Sequence, residues 1–271
     1  MDHRGRIMNH NEKLLELEQL LRSYGRVALG FSGGVDSTFL ARVLSRCMPE
    51  DALLVHLTTP LIGTPEQISF QAQRDTFGLP VLELKVNPLD APEVAANPTD
   101  RCYHCKHLGF GRIVAEATTR GYNTVIDGSN ADDAGDYRPG MRAVNELGVR
   151  SPLLEAGWHK NEERELLRSW DIPVWKMPAG ACLATRIPCG EALSREKLEV
   201  VRACEDYLRS LGLCQVRVRL ADGVAQVTAA PEDLKRLEAL GGMARIIPEL
   251  RAHGAEHINP EATPYVHGAM N

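Results

Sequence analysis

The chain of 271 residues has no uninterrupted apolar run near the ~18 residues that a membrane span needs. A membrane protein is therefore not expected. Its first twenty residues, MDHRGRIMNHNEKLLELEQL, lack the compact apolar segment of a secretory signal. It also lacks a basic tract, since 31 Lys and Arg stand against 36 Asp and Glu for a net charge of −5. A nonspecific nucleic-acid binder carries a basic excess, so nucleic acid is disfavoured as a partner. No internal repeat or low-complexity segment is present. With 44% hydrophobic and 25% charged residues, the chain has the make-up of a globular protein, not a disordered one. The seven cysteines (Cys47, Cys102, Cys105, Cys182, Cys189, Cys204 and Cys214) are odd in number. Cytosolic thiols stay reduced. Free thiols or metal ligands in a cytoplasmic protein are expected, not a disulfide frame.

At roughly 150 residues per domain, the length fits one large domain or two modest ones. Leu14, Leu17 and Leu21 recur at helical spacing. Short apolar strands are expected at 26–31, 52–58, 81–86 and 123–127. Helical segments are expected from Phe39, at 65–77 and at 104–118. This alternation predicts an α/β fold, a doubly wound parallel sheet with helices on both faces. A further helix is expected over 159–170. From Ser194 the pattern becomes helix, strand, turn, strand, helix, with Asp222-Gly223 joining two strands as a hairpin. One boundary is placed at 190. It separates a larger domain, 1–190, from a smaller C-terminal α+β domain, 191–271.

Ser32-Gly33-Gly34-Val35-Asp36-Ser37 falls between the first strand and the first crossover helix. Glycines let backbone approach a bulky anion. Successive amides can form an anion nest, and a helix start adds its positive dipole end. The motif is neither a Walker A loop, which needs Gly-Lys-Ser/Thr, nor GxGxxG. An ordinary capped strand-to-helix turn is the plain alternative. Asp127-Gly128-Ser129-Asn130 ends the fourth strand, where the same crevice is expected. Asp132, Asp133 and Asp136 follow, either as a solvated acidic loop or as nucleotide or Mg²⁺ contacts.

SGGVDS resembles the PP-loop of the ATP pyrophosphatases, which cleave ATP between its α and β phosphates. The resemblance implies that Ser32, Gly33, Gly34, Ser37 and Thr38 cradle phosphates, with Asp127 and Gly128 beside them, and that Asp36 helps hold Mg²⁺. Further stretches, GFSGGVDST, DGSNADDAGDYRPG, SPLLEAG, ACLATRIPCG, EDYLRSLG and VRVR, together resemble the LarE family, over roughly residues 14–220. That family inserts sulfur during synthesis of the nickel-pincer nucleotide cofactor. The implied substrate is pyridinium-3,5-biscarboxylic acid mononucleotide. Its carboxylate attacks the α-phosphate of ATP, and sulfur then displaces AMP. The family also implies a homo-oligomer.

Family members differ in their sulfur source. One class sacrifices a single cysteine, a position that aligns with Ala181 here. Another class binds a [4Fe–4S] cluster through three cysteines, leaving one iron open to sulfide from an outside donor. This chain carries Cys102-x-x-Cys105 and, 77 residues later, Cys182. The resemblance implies that these three hold such a cluster. Zinc, with His104 or Cys189 as a further ligand, a redox pair and structural thiols are the alternatives. Cys189 stands where the family commonly has tyrosine, as a persulfide relay or a small packing residue. Cys47, Cys204 and Cys214 read as packing residues.

Arg217 and Arg219 alternate with Val216 and Val218, so both arginines share one strand face. Guanidinium groups suit bidentate phosphate recognition. The resemblance assigns them, with Arg186, to the substrate phosphate and gives Glu205 a cation or ribose contact. Lys106 and Lys160 are weaker phosphate candidates. Two rival functions stand beside this one. A tRNA thiolase also pairs a PP-loop with a cluster, but the negative charge opposes it. A nonenzymatic ATP- or metal-binding module would bind nucleotide without releasing pyrophosphate.

Overall fold

A computed structural model of the chain describes residues 3–133, 139–178 and 180–265. Asp136, singled out above, lies outside the described residues. In chain order the elements begin α1 (His3–Ser23), β1 (Val27–Gly30), α2 (Val35–Cys47), β2 (Ala52–Thr58), α3 (Thr64–Gln73), β3 (Val81–Lys85) and α4 (Pro92–Ala95). They continue α5 (Arg101–Thr119), β4 (Thr124–Ile126), α6 (Pro139–Glu146), α7 (Pro152–Glu155) and α8 (Lys160–Ser169). The last are α9 (Arg195–Ser210), β5 (Val216–Ala221), β6 (Val224–Ala229), α10 (Pro231–Ala239), α11 (Gly242–Ala252), β7 (His257–Ile258) and β8 (Thr263–Pro264). No helix among the described residues is long and apolar enough to cross a membrane.

The chain divides into two compact units. The first comprises Met1–Thr59, Pro65–Val86 and Cys102–Gly180. The second gathers Pro60–Thr64, Asn87–Arg101 and Ala181–Asn271. Two short segments from the first half of the sequence thus fold with the C-terminal part. A single cut along the sequence cannot describe such an arrangement.

The first unit is built on a parallel sheet of order β3-β2-β1-β4. The expected doubly wound α/β architecture is present. Successive strand residues point to opposite faces. Val27, Leu29, Ala52, Leu54 and Ile126 accordingly enter one core, with α1, α2 and α8 residues such as Leu17, Phe39 and Leu167. Ala28, Leu53, Val55 and Val125 enter the other, with Ile113 and Ala117 of α5. Burial on both faces explains why these strands read as continuous apolar runs. Phe39 packs on Trp158 at 4.9 Å and stacks on Trp170 at 5.5 Å. Each such aromatic pair adds about 1 kcal/mol beyond its buried area.

The second unit holds a small mixed sheet. β5 and β6 form the expected antiparallel hairpin, and β7 and β8 pair parallel with β6. Asp222 and Gly223 both have positive φ, 48° and 77°, as a two-residue type I′ turn requires. Ser194 caps α9 by accepting from the Lys197 amide. Leu198, Val201, Cys204 and Leu208 form the buried stripe of that helix. Burial raises the Cys204 thiol to about 11, which fits a packing role.

Six elements have no counterpart in the sequence reading, among them the four-residue turns α4 and α7. α6 opens on Pro139-Gly140, and α11 follows Gly241-Gly242 and contains Pro248. Those residues read as turns and breakers. β7 and β8 have two residues each and exist only through pairing with β6. The helix expected from Phe39 starts earlier, at Val35, because Gly34 is extended (φ −78°, ψ 175°) and closes the loop one turn sooner.

Candidate active site

β1 and β4 are neighbours in the sheet, yet their connections run to opposite sides of it. This is the switch point, where a crevice opens at the strand ends. Leu29 pairs with Ile126, so the Ser32 loop and the Asp127 loop leave the sheet side by side. Gly128 packs against Asp36, and a Cβ there would lie 3.2 Å from the Asp36 Cβ. Gly33 has φ +78°, and a Cβ on it would lie 2.6 Å from the Phe70 backbone. Only glycine fits that position.

The earlier start of α2 has a chemical consequence. Val35, Asp36 and Ser37 open its first turn, where amides have no intrahelical partner and can meet an anion, while the Thr38 amide already donates to the Gly34 carbonyl at 2.9 Å. The loop is fixed by its own hydroxyls. Ser32 Oγ and Ser37 Oγ lie 3.1 Å apart, the Gly34 amide donates to Ser32 Oγ, and Ser37 Oγ donates to the Gly34 carbonyl. Ser69 Oγ donates to the Gly33 carbonyl from α3. Thr38 is fully buried, and its Oγ1 has no hydrogen-bond partner.

A carboxylate network lines the same crevice. Asp36 accepts from Asn130 Nδ2 at 3.0 Å and pairs with Lys160 Nζ at 3.2 Å. Asn130 Nδ2 also donates to Glu163 Oε1 at 3.2 Å. Glu163 is fully buried and its Oε2 has no donor. Burial, then the neighbouring Asp36 carboxyl and its negative charge, push the Glu163 carboxyl up to about 9. Asp127 accepts from the Ser129 amide, Ser129 Oγ and Ser151 Oγ, with Lys106 Nζ at 3.9 Å. Asp132 joins His159 Nδ1 at 2.6 Å and the Lys160 amide at 2.9 Å. The His159 bond holds Asp132 below the usual carboxylate range. Lys106 and Lys160 are thus held by the two site aspartates. Glu163 was not singled out from sequence, because within the run Glu162, Glu163, Arg164, Glu165 nothing marks the one that faces inward.

In the second unit, Arg186 ends a short 3₁₀ turn, Leu183–Arg186. Its Nε and Nη2 donate to the two oxygens of Glu205 at 2.8 and 3.1 Å. Its Nη1 donates to the Ala181 and Cys182 carbonyls. Arg186 therefore fixes the backbone that presents Cys182. Glu205 also accepts from Arg209 at 2.6 Å and from the Val218 amide at 3.0 Å. Burial pushes its carboxyl up, but the Arg186 bond and the arginine charges outweigh that and hold it low. Arg217 is buried and donates to the Val216 carbonyl. Burial and the nearby Arg186 charge lower its proton affinity. Arg219 is half-buried on the same strand face. Arg186 and Arg209 pair with Glu205, and Arg209 also with Asp206, so with the neighbouring Arg217 three guanidinium groups stand against two carboxylates, a net positive charge that favours an anion.

Asn97 is a second residue the sequence reading missed. It sits at φ +54° and is buried. Its Nδ2 donates to the carbonyls of Ile187, Pro188 and Glu191, and its Oδ1 accepts from Arg101. It braces the loop after Arg186, where Cys189 Sγ also reaches the Asn97 carbonyl. Cys102 and Cys105 share one turn of α5 and are half-buried, and Cys182 is exposed. Among the described residues, no three His, Cys, Asp or Glu side chains stand together as a ready metal site.

A glycine loop and helix start at the switch point of a parallel sheet define a PP-loop α/β protein. No protein-family profile matches the chain. It is 35% identical over 259 residues to an uncharacterized protein of Synechocystis sp., covering 96% of this chain and 97% of that one. It is 30% identical over 216 residues to the pyridinium-3,5-bisthiocarboxylic acid mononucleotide synthase of Lactiplantibacillus plantarum, covering 79% and 78%. It is 27% identical over 250 residues to an uncharacterized protein of Methanocaldococcus jannaschii, covering 91% and 94%. The chain belongs to the LarE family, that of the Lactiplantibacillus synthase.

Proposed function

We propose that this chain is an ATP-dependent, sulfur-inserting synthase acting on pyridinium-3,5-biscarboxylic acid mononucleotide. The observation that carries the reading is the PP-loop. Its Gly33 turn leads into the first turn of α2, whose open amides stand next to Asp36 and its partner Lys160, with Gly128 of the Asp127 turn packed against Asp36. That is a cradle for a pyrophosphate leaving group. A substrate carboxylate oxygen attacks the α-phosphorus, the bond to the β-phosphate oxygen breaks, and pyrophosphate departs. Sulfide then attacks the acyl carbon, the bond to AMP breaks, and a thiocarboxylate remains. Lys160 and the helix amides offset the charge that grows on the departing phosphates. The arginine face of the second unit would hold the mononucleotide phosphate.

The oxygens of Asp36 suit a hard Mg²⁺ ion accompanying ATP. The thiols of Cys102, Cys105 and Cys182 suit iron–sulfur ligation as a donor set. A [4Fe–4S] cluster on these three would leave one iron open to sulfide. Cytoplasmic location and a homo-oligomer belong to the same proposal.

The test is to supply ATP, sulfide and the biscarboxylic acid mononucleotide, and to measure pyrophosphate together with the mass gain of each oxygen-to-sulfur replacement. Nucleotide binding without pyrophosphate would overturn the reading. Iron and acid-labile sulfide after anaerobic purification test the cluster separately. About four of each per chain, lost in the Cys102→Ala, Cys105→Ala and Cys182→Ala variants, is the expected result. Zinc, or no metal after reconstitution, would overturn it.

A further inference from the structure

The arginine face of the small sheet does not end at β5. Arg217 lies directly opposite Thr228 of β6, and Thr228 lies opposite Thr263 of β8. Residues paired across neighbouring strands share one face. Arg217, Thr228 and Thr263 therefore form a row across three strands. Tyr265 lies two residues beyond Thr263, and its amide is tied to the Ala229 carbonyl at 2.8 Å. Its ring centre is 5.7 Å from the Arg217 guanidinium carbon, within cation–π range. Thr228 is 8% exposed, and its Oγ1 is buried with no hydrogen-bond partner. A buried hydroxyl without a partner is rare, and here it stands beside a buried arginine on an anion-attracting face.

We infer that Thr228 and Tyr265 complete the mononucleotide site, with Thr228 Oγ1 donating to the phosphate held by Arg217 and the Tyr265 ring walling the substrate's aromatic ring. The inference rests on the reading of the arginine face as a phosphate site. A pyridinium ring is flat and cationic, so an electron-rich phenol face suits it. The C-terminal segment thereby becomes a specificity element.

The test uses the full chain, calorimetric titration and two probes: ribose 5-phosphate, which has no aromatic ring, and nicotinamide mononucleotide, which adds a pyridinium. Tyr265→Ala is expected to weaken the pyridinium probe about fivefold and leave ribose 5-phosphate unchanged. Tyr265→Phe keeps the ring and should bind both as the unaltered protein does. Thr228→Val, which preserves shape, should weaken both probes about tenfold. An unchanged ratio of the two affinities in Tyr265→Ala, or unchanged phosphate binding in Thr228→Val, overturns the inference. Arg217→Gln separates the underlying reading. If it binds ribose 5-phosphate as tightly as the unaltered protein, or if the unaltered protein binds neither probe, the phosphate site itself is refuted.

Discussion

Replacing Glu205 with alanine should destabilise the second unit by about 4 kcal/mol, because breaking a buried ion pair costs roughly 3–5 kcal/mol. The structure explains why the value lies in that range. Glu205 is fully buried and Arg186 is 4% exposed. The carboxylate receives two bonds from Arg186, one from Arg209 and one from the Val218 amide. Its loss leaves a guanidinium, itself removed from water, with no counter-charge. The total stability of a domain is only about 5–15 kcal/mol, so the effect is large. Urea unfolding followed by circular dichroism measures it. Tryptophan emission alone does not suffice, because Trp158, Trp170 and Trp175 all belong to the first unit. The double variant Glu205→Ala with Arg186→Met should cost less than the two single costs combined, since no buried charge is then orphaned. Because the folded carboxyl titrates low, its contribution is complete above its unfolded value, about 4.3, and fades as pH falls through the folded one. A loss below about 1 kcal/mol, typical of a surface pair, or additive single costs would refute the account.

Gly33→Ala should abolish nucleotide binding, measured by equilibrium titration, because its Cβ meets the Phe70 backbone at 2.6 Å. Gly34→Ala meets only Ser32 Oγ at 3.4 Å and should leave the fold intact. Glu163 holds its proton up to about 9, so the folded state binds a proton that the unfolded state releases above about pH 4.3. Stability should therefore fall as pH rises from about 5 to about 9, by at most about 1.4 kcal/mol per unit. Glu163→Gln should flatten that slope in thermal melts of metal-free protein, and an unchanged slope would sink the assignment. Asn97→Ala removes donors to three carbonyls and the acceptor of Arg101. It should cost about 2–4 kcal/mol in the same urea experiment, whereas a cost within ~0.5 kcal/mol would mark Asn97 as an unimportant surface residue.

The parallel sheet was legible because β1, β2 and β4 are short, mostly apolar runs bounded by turn residues, and because strand and helix alternate. Local pattern suffices there. The glycine loop was legible for a related reason, since Ser-Gly-Gly after a buried strand has few other uses. The discontinuous second unit was not. Nothing in the composition of 60–64 or 87–101 says that these segments pack with a region a hundred residues later. Asn97 illustrates the gap. Its role comes from three carbonyls near residue 190, and only the fold brings them within reach. Glu163 illustrates another. Its neighbours Glu162 and Glu165 have the same chemistry, and orientation on α8 alone separates a surface charge from a buried one.

Those two missed residues share a logic with Glu205. Each is buried, polar and held by groups distant in sequence. Each bonds a residue expected to face ligand, or the loop that carries it: Glu163 through Asn130 to Asp36, Asn97 to the loop after Arg186, Glu205 to Arg186. Motifs report groups that meet the ligand, because those sit in short exposed loops with unusual composition. The braces behind them are set by tertiary burial and leave no local signature. Arg186 shows how far this matters for chemistry. Four of its contacts turn inward, to Glu205 and to the Ala181 and Cys182 carbonyls. Its first effect is therefore to fix where Cys182 stands. Changing Arg186 to lysine would keep the charge but lose the planar fork that bonds Glu205 and the loop together. Arg186→Lys should consequently disturb the reactivity of Cys182 toward a thiol reagent, even where the protein still folds. A Cys182 modification rate identical to that of the unaltered protein would show that the brace has no hold on the thiol.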